Sequence, residues 1–544
     1  MGGSELGTPV AESGTTPASH ARPAAPWPRR LAWPAVFAAA GLALFAAYLR
    51  QAQAVPLMSD GASNALQAWD LLHGNVLLRG WTMSDVSFYT TEIPQYMLVE
   101  LAHGLNADAV HIAAALSYTL LVLGAALLAR GHASGREGVI RMVVAAGIML
   151  APSLGTGTVV LLSNPDHNGT QVPMLVIWLI LDRARARWWV PVLVSVLLAW
   201  VQVGDPLVLY EGVVPLVLVC AFRMVRRRGR LADNWYELAL AGGAIVSAGA
   251  ASLALKLIHQ LGGFAVRPPS TAFAHVAHLP SNVWVAVQSV LVLFGADFSG
   301  AHIGIALVHL AGVALAVWAT GRALRRFSTQ DLVVQVLAVT LIVLLAAYVV
   351  RGNPNVTGST HEIAAVLPIG AVLAGRLLAG TLARGRLLIP ALALVLACYA
   401  GIEVHNIVQQ RPSDPNAQVA AWLQAHNLSY GFGDYWNANA MTVDSGNQVQ
   451  VRYVSRIGDT LVQRPWESES SWYDPAQHDA TFLVTPGPAN VCSPGTPAGW
   501  EAAARATFGP PSGTYRVAGF TILVWHKNLL RELTTVAPHG PIGC

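Results

Sequence analysis

Long apolar runs recur along most of this chain, and they constrain its fold more than any other feature. A helix needs about 20 apolar residues to cross a hydrocarbon core of about 30 Å. Only 11% of the 544 residues are charged, against about 25% in soluble domains. The sequence therefore predicts a polytopic α-helical membrane protein. About eleven transmembrane helices are expected, near 31–50, 108–129, 139–162, 170–181, 188–204, 206–222, 236–258, 301–319, 331–350, 361–381 and 387–406.

Two segments at the edges of this pattern need separate interpretation. The segment 283–298 is apolar but ambiguous, and it is either an interfacial helix or a further span. Residues 1–28 are rich in Pro, Ala, Ser and Thr, which is typical of a disordered tail. The first apolar run follows Arg29 and Arg30, as in a signal peptide, but it is long and lacks a small-residue cleavage site. An uncleaved membrane anchor is therefore expected.

Arginine is concentrated in every second loop, and this alternation predicts the orientation. Basic loops stay in the cytoplasm, so the N-terminal tail is expected inside. The first long loop, 51–107, and the region after 406 are then expected outside a bacterial plasma membrane. The basic loops contain Arg130, Arg136, Arg141, Arg183, Arg185, Arg187, Arg322, Arg325, Arg326, Arg384, Arg386 and the run 223–230. An Ala-, Gly-, Val- and Arg-rich chain with only Lys256 and Lys527 suggests an actinobacterial gene. Because the arginines are dispersed, no nucleic-acid partner is expected.

The region 407–544 is predicted to be a small extracytoplasmic α/β domain. "DPNAQVAAWLQAHN" is typical of a helix, with Asp414 as cap and Pro415 in the first turn. "NQVQVRYVSR", "ATFLVTP" and "YRVAGFTILVWHK" are typical of strands. Cys492 and Cys544 could form a disulfide if this region lies outside the cell, or they could remain free thiols.

The first outer loop carries three acids, Asp60, Asp85 and Glu92. After "MSD", the residues up to Leu77 have an approximate apolar helical stripe. This predicts a helix lying in the membrane interface, anchored by Trp69. Asp60 precedes that helix, where a carboxylate is commonly an N-cap. A general base held at the membrane surface is the alternative.

The arrangement of this loop resembles the GT-C glycosyltransferases, which include protein O-mannosyltransferases, aminoarabinose transferases and mycobacterial arabinosyltransferases. A carboxylate ends the first span, an amphipathic helix follows, and then an aromatic loop with an acidic-Pro element, "FYTTEIPQY". The family often has Asp-Glu where this chain has Asp60-Gly61. That departure leaves the second acid open, with Asp85 the best candidate.

The resemblance implies an inverting transfer of a sugar from a polyprenyl-phosphate carrier to an acceptor outside the membrane. The acceptor is a glycan, a lipid or a protein, and the enzyme works in the bilayer. Asp60 would be the general base, with Asp85 and Glu92 as the other catalytic candidates. The donor phosphate needs positive charge, which Arg351, Arg267 and His361 could supply.

Each of these binding residues also has a plainer interpretation. Arg351 and Arg267 could be ordinary loop cations, and His361 with Glu362 could simply begin a helix. Tyr89, Tyr435 and Trp436 could bind the acceptor or the sugar through their aromatic faces. The last two could equally be core residues of a small domain.

The remaining polar features leave the cofactor and the protein class open. The adjacent Asp166 and His167 in "SNPDHNGT" are better explained by a turn than by a metal site, because no further ligand cluster is evident. No cofactor is required, although a divalent cation could assist the phosphate. A transporter or flippase would be indicated by ionisable residues inside spans and by internal repeats. A non-catalytic envelope assembly factor would be indicated by loss of the first-loop acids in relatives.

Overall fold

The structure is a computed structural model, and it describes residues 27–227, 231–268, 272–299, 302–385, 388–487 and 496–536. The chain divides into two compact units, residues 1–43 and 44–544. Residues 1–26 of the predicted tail lie outside the described residues, as do Cys492 and Cys544. The tail and the disulfide therefore remain predictions, as do the domain limits at 28/29 and 406/407.

Helices dominate the described chain. They are α1 (Trp27–Ala52), α2 (Ser59–Leu72), α3 (Ile93–His103), α4 (Ala107–Arg130), α5 (Gly135–Ile148), α6 (Thr156–Leu162), α7 (Asn168–Arg183), α8 (Trp189–Gly204), α9 (Val214–Arg227), α10 (Trp235–Gln260), α11 (Leu279–Leu293), α12 (Ile303–Arg325), α13 (Leu332–Val350), α14 (Val366–Arg384), α15 (Leu388–Ile407), α16 (Pro415–Ala425), α17 (Tyr435–Asp444) and α18 (Pro497–Phe508). A π-helix, Leu209–Val213, precedes α9.

Eight helices in the described part of the chain are long and apolar enough to cross a membrane. Five shorter helices, α5 to α9, occupy the other four apolar segments, with α5 and α6 both in 139–162. The ambiguous segment 283–298 lies mostly in one of the eight, Val276–Leu293. Large apolar side chains remain exposed along these helices, for example Ile245 and Val317. Such surface is favourable in lipid rather than in water. The predicted class, a polytopic α-helical membrane protein, is confirmed.

Local sequence signals account for where several helices begin. Asn106 precedes α4 and accepts a hydrogen bond from the backbone N–H of Ala109 at 3.0 Å. Asp331 caps α13 in the same way, through the N–H of Val334 at 2.9 Å. Asp414 caps α16, with Pro415 as its first residue, as predicted. Each cap satisfies an N–H group that has no acceptor within its own helix.

The C-terminal region contains the predicted small α/β fold. The strands are β1 (Trp81–Thr82), β2 (Tyr430–Gly433), β3 (Gln450–Tyr453), β4 (Ser455–Ile457), β5 (Thr460–Gln463), β6 (Ser468–Glu469), β7 (Phe482–Val484), β8 (Gly513–Val517), β9 (Phe520–Val524) and β10 (Thr534–Thr535). A five-stranded mixed sheet has the order β3-β2-β7-β9-β8, and the three segments predicted as strands contribute β3, β7, β8 and β9. A three-stranded sheet has the order β10-β5-β4, and β1 of the long loop 51–107 pairs with β6.

Helix α4 connects two chemically different ends of unit 44–544. Its first turn packs with Leu105 against Ala440 and Val443 of the C-terminal region. Near its last turn, the carbonyl of Leu128 accepts a hydrogen bond from Nε of Arg376 at 2.8 Å. Because 24 helical residues extend about 36 Å, the basic end that contains Arg130 is distant from the C-terminal region.

Candidate active site

A cavity of about 210 Å³ lies where the long loop 51–107, two short loops and the C-terminal region meet. The start of α2 and residues 84–88 form one wall, and residues 159–167 form another. Residues 357–361 and the C-terminal region close the site. Its lining residues are Met58, Asp60, Ser84, Asp85, Val86, Phe88, Val159, Val160, Ser163, Asn164, Asp166, His167, Thr357, Gly358, His361, Tyr435, Trp436, Trp466 and Glu467.

Asp60 lies in the first turn of α2, and its carboxylate faces the C-terminal region. The N-cap residue of α2 is Met58. The Tyr435 hydroxyl is hydrogen-bonded to Oδ1 of Asp60 and, at 2.6 Å, to Oε2 of Glu467. A tyrosine hydroxyl carries one proton, so it can donate to only one of the two carboxyls. The other carboxyl must be protonated and donate to the tyrosine oxygen.

Electrostatics indicate which carboxyl holds that proton. Burial and the nearby Asp60 raise the pKa of Glu467 well above its usual range. Burial also raises the pKa of Asp60, but the Tyr435 hydrogen bond and the charge of His167 oppose this effect. The arrangement therefore favours protonated Glu467 donating to Tyr435, which in turn donates to the Asp60 carboxylate.

Asp166 and His167 form a second polar pair in the cavity wall. Asn64 of α2 donates a hydrogen bond to Oδ1 of Asp166 at 2.8 Å. Nδ1 of His167 lies 2.7 Å from Oδ2 of Asp205. Burial opposes the charge of His167, but the Asp205 carboxylate outweighs it and raises the pKa of the imidazole to about 10. The His361 ring stacks on this imidazolium, with 5.2 Å between the ring centroids.

Three lining residues have left-handed backbone conformations, which are uncommon outside glycine. They are Phe88 (φ 49°), His167 (φ 58°) and Glu467 (φ 41°). Such conformations cost about 1–3 kcal/mol each and tend to occur at functional sites. Here all three belong to loops that present side chains to one cavity.

The structure brings five of the predicted site residues into the cavity wall. These are Asp60, Asp85, His361, Tyr435 and Trp436. The other four predicted residues, Glu92, Tyr89, Arg351 and Arg267, do not line it. Their roles in catalysis and binding remain predictions, so their surroundings are described next.

Glu92 and Tyr89 are engaged in structural contacts behind the cavity. Oε1 of Glu92 accepts a hydrogen bond from the backbone N–H of Thr170 at 2.6 Å. Burial and then the Asp205 charge raise the pKa of Glu92 to about 8. The Tyr89 hydroxyl donates to the carbonyl of Val76 at 2.7 Å, and its ring packs on Phe264.

The two predicted phosphate-binding arginines lie next to lining residues. Arg351 forms an ion pair with Glu362, the neighbour of His361. Arg267 lies over the ring of Trp466 with 5.1 Å between the guanidinium carbon and the ring centroid. Its buried Nε and Nη2 atoms have no hydrogen-bond partner among the described residues. Burial and the neighbouring Arg464 lower the pKa of Arg267 to about 10, so it remains cationic at neutral pH.

Packing explains why glycine follows Asp60 in place of a second acid. A Cβ atom at Gly61 would lie 2.8 Å from Cβ of Asn164 and 3.1 Å from Cγ1 of Val110. Either distance is shorter than a normal carbon contact. The close approach holds α2 against the loop that carries Asp166, so a Glu at this position cannot be accommodated.

We expect Gly61→Ala to destabilise the protein by about 1–3 kcal/mol through overpacking. Gly249→Ala in α10 is a matched control, because nothing lies within 4 Å of the added Cβ. The control is expected to be neutral or stabilising by up to about 1 kcal/mol. Thermal unfolding in detergent compares them, and equal midpoints for the two variants would contradict the packing argument.

The lining residues that the sequence did not identify as site residues include two acids, a histidine and a tryptophan: Asp166, Glu467, His167 and Trp466. The predicted turn at Asp166 and His167 is present, but both side chains also face the cavity. The only available signal was an adjacent acid and histidine in a short polar loop, "SNPDHNGT". Trp466 and Glu467 lie between strands β5 and β6, where the sequence has no helical or strand-like periodicity that would single them out. Among the described residues, no group of three or more His, Cys, Asp or Glu is arranged to hold a metal ion.

The polar side of α2 also differs from the expectation for an interfacial helix. Asn64 and Gln67 are buried, because α3 and α17 cover this helix. Asn64 consequently holds Asp166 rather than facing water or headgroups.

Comparison with known proteins identifies the fold. No protein-family model matches the sequence, and no curated protein matches it. ArnT from Cupriavidus metallidurans in the apo state has a TM-score of 0.56 at 14% identity, over 94% of this chain and 100% of that chain. The same protein bound to undecaprenyl phosphate also has a TM-score of 0.56, at 13% identity, over 90% of this chain and 98% of that chain. An oligosaccharyltransferase from Archaeoglobus fulgidus, in complex with Zn and sulfate, has a TM-score of 0.46 at 12% identity, over 81% of this chain and 67% of that chain. The chain has a GT-C-like membrane fold, as the sequence resemblance implied.

Proposed function

We propose that this protein is an integral membrane glycosyltransferase that moves a sugar from a polyprenyl-phosphate carrier to an extracytoplasmic acceptor. The observation that carries the proposal is the Asp60 carboxylate, which lines a cavity and is oriented by Tyr435. The fold is shared with ArnT, for which one structure contains undecaprenyl phosphate. The acceptor is a glycan, a lipid or a protein, and the host is a bacterium, which the composition suggests is actinobacterial.

In the proposed reaction, Asp60 is the general base of a single displacement. The acceptor hydroxyl oxygen attacks the anomeric carbon while its proton passes to the Asp60 carboxylate. The bond between the anomeric carbon and the phosphate oxygen breaks, and the polyprenyl phosphate leaves with the electron pair. One displacement from the face opposite the leaving group inverts the anomeric configuration.

Positive charge beside the cavity would stabilise the departing phosphate. The imidazolium of His167 lies in the cavity wall, held by Asp205. Arg267, next to Trp466, has two nitrogen atoms that no described residue hydrogen-bonds. Arg351 would exchange its contact with Glu362 for the donor phosphate. The aromatic faces of Trp436 and Trp466 would pack against the sugar or the acceptor.

Orientation can be tested by cysteine labelling, in a variant without the four native cysteines. We expect Asp459→Cys, at a side chain that is 94% exposed in the C-terminal region, to react with a membrane-impermeant thiol reagent in intact cells. Arg325→Cys in a basic loop should react only after permeabilisation, because basic loops stay inside. The reverse pattern would move the proposed site to the cytoplasm and contradict an extracytoplasmic acceptor.

The Tyr435 hydrogen bond predicts a pH effect. A base must be ionised, and burial raises the pKa of Asp60, so kcat/KM should fall with acidification already above the usual carboxyl range. Tyr435→Phe removes a hydrogen bond that favours the carboxylate. The acidic limb of the plot of kcat/KM against pH should therefore move to higher pH. Glu467→Gln can still donate to Tyr435, and its limb should stay close to that of the wild type. A limb unaffected by Tyr435→Phe would show that Asp60 is not the titrating base.

The function as a whole is tested by comparing envelope glycans, glycolipids and glycoproteins between a deletion strain and its parent. We expect one sugar modification to disappear and the corresponding polyprenyl-phosphate sugar to accumulate. The wild-type gene should restore both, and a gene encoding Asp60→Asn should restore neither. An unchanged glycan profile with no accumulated carrier would contradict the proposal.

A further inference from the structure

A groove lies between α7 and α8 at the basic end of the protein. Its volume is about 570 Å³, within the range of about 300–1,000 Å³ that is common for ligand sites. The walls are apolar and include Val176, Leu179, Ile180 and Leu193. This composition suits a hydrocarbon chain.

One end of this groove is strongly cationic, because Arg183, Arg185 and Arg187 line it. Arg183 is partly neutralised, since its Nε lies 3.3 Å from Oδ2 of Asp182. Asp182 is shared, however, with the buried Arg376. Arg185 and Arg187 are exposed, and neither forms an ion pair with any described residue. Two guanidinium groups therefore remain uncompensated beside an apolar slot.

Exposed tryptophans next to the arginines indicate that this end of the groove lies at a membrane interface. Trp188 is 75% exposed and Trp189 also remains exposed, directly after the arginines. Exposed tryptophan is enriched at the level of lipid headgroups. Val176 and Val192 are exposed on the adjoining helical faces, so the groove opens towards hydrocarbon. Its apolar walls and cationic rim complement an amphiphile with an anionic head.

We propose that this groove binds an anionic phospholipid, with an acyl chain between α7 and α8 and the phosphate on Arg185 and Arg187. The proposal does not depend on the transferase function, because the groove shares no lining residue with the candidate active site. It involves the C-terminal half of α7, whereas His167 of the cavity precedes the first residue of that helix. Basic pockets between membrane helices are a recurrent way to hold anionic lipid headgroups.

The test uses the purified full-length protein in detergent and quenching of its tryptophan fluorescence by brominated lipids. Brominated phosphatidylglycerol is expected to bind and quench at lower concentration than brominated phosphatidylcholine. Arg185→Ala/Arg187→Ala should weaken phosphatidylglycerol binding by about 5-fold per arginine, about 25-fold in total. Arg185→Lys/Arg187→Lys should retain most of the affinity. Trp188→Phe/Trp189→Phe should remove most of the lipid-dependent quenching.

Two controls distinguish binding in this groove from a general attraction of anionic lipid to the basic loops. Arg325→Ala/Arg326→Ala removes two exposed arginines of another basic loop and should leave phosphatidylglycerol binding unchanged. Millimolar inorganic phosphate should not displace the lipid. Equal affinities for the two lipids, full affinity in the alanine pair, or an equal loss in the control pair would overturn the proposal. Complete displacement by inorganic phosphate would also overturn it, because the groove would then contribute nothing.

Discussion

Replacing Asp60 by asparagine is expected to reduce sugar transfer by about 10²- to 10⁴-fold while the protein remains folded in the membrane. That range is the usual cost of removing a general base. Asparagine has nearly the same shape as aspartate, and its carbonyl oxygen can still accept the Tyr435 hydrogen bond. It cannot take a proton from an acceptor hydroxyl. Initial rates with a synthetic polyprenyl-phosphate sugar, normalised to protein in the membrane, measure the loss.

Asp70→Asn is the matched control for this variant. Asp70 lies on the same helix, but its carboxylate accepts hydrogen bonds from Asn75 and from Trp81 at 2.8 Å. It does not line the cavity, so transfer should remain within a few-fold of the wild type. If Asp60→Asn retained near-full transfer, the base would have to be Asp85, which lines the same cavity, or Glu92.

Arg351→Ala is expected to lower kcat/KM for the lipid-linked donor by about 10²- to 10³-fold. Removing one preorganised group that stabilises developing negative charge typically has an effect of this size. The departing phosphate gains a negative charge, so part of the loss should appear in kcat as well as in KM. Protein abundance should fall far less than donor use, because the Arg351 side chain is partly exposed.

Glu362→Gln distinguishes a phosphate role from a purely structural ion pair. It removes the Arg351 ion pair but leaves the guanidinium cation in place. If Arg351 serves the donor, this variant should retain or improve donor affinity. Equal losses for Glu362→Gln and Arg351→Ala would show that the ion pair matters only for the local structure.

Features that depend on neighbours in sequence were predicted well. The membrane class follows from the length of the apolar runs, which is a local property of the sequence. Asp414 and Pro415 correctly predicted the start of α16, because a capping signal acts within one helical turn. Strand-like alternation correctly predicted β3 and β7. The shorter helices, such as α6, could not be delimited, because broken apolar runs resemble continuous ones in composition.

The site depends on distant contacts, and these were only partly accessible. Asp60 and Tyr435 were each identified as candidates, but nothing in the sequence indicated that they contact each other. Glu467 completes their hydrogen-bonded triad from a segment between strands, where no periodicity exists. The absence of an acid at position 61 was noticed from the family resemblance. Its reason, contact with Asn164, depends on tertiary packing.

The contact between Asp60 and Tyr435 joins residues that are 375 positions apart. During synthesis, α2 leaves the ribosome long before the C-terminal region exists. A nascent chain at that stage has the acid without the tyrosine that orients it and without Glu467. If the proposed transfer depends on this contact, it can begin only after translation has passed Glu467.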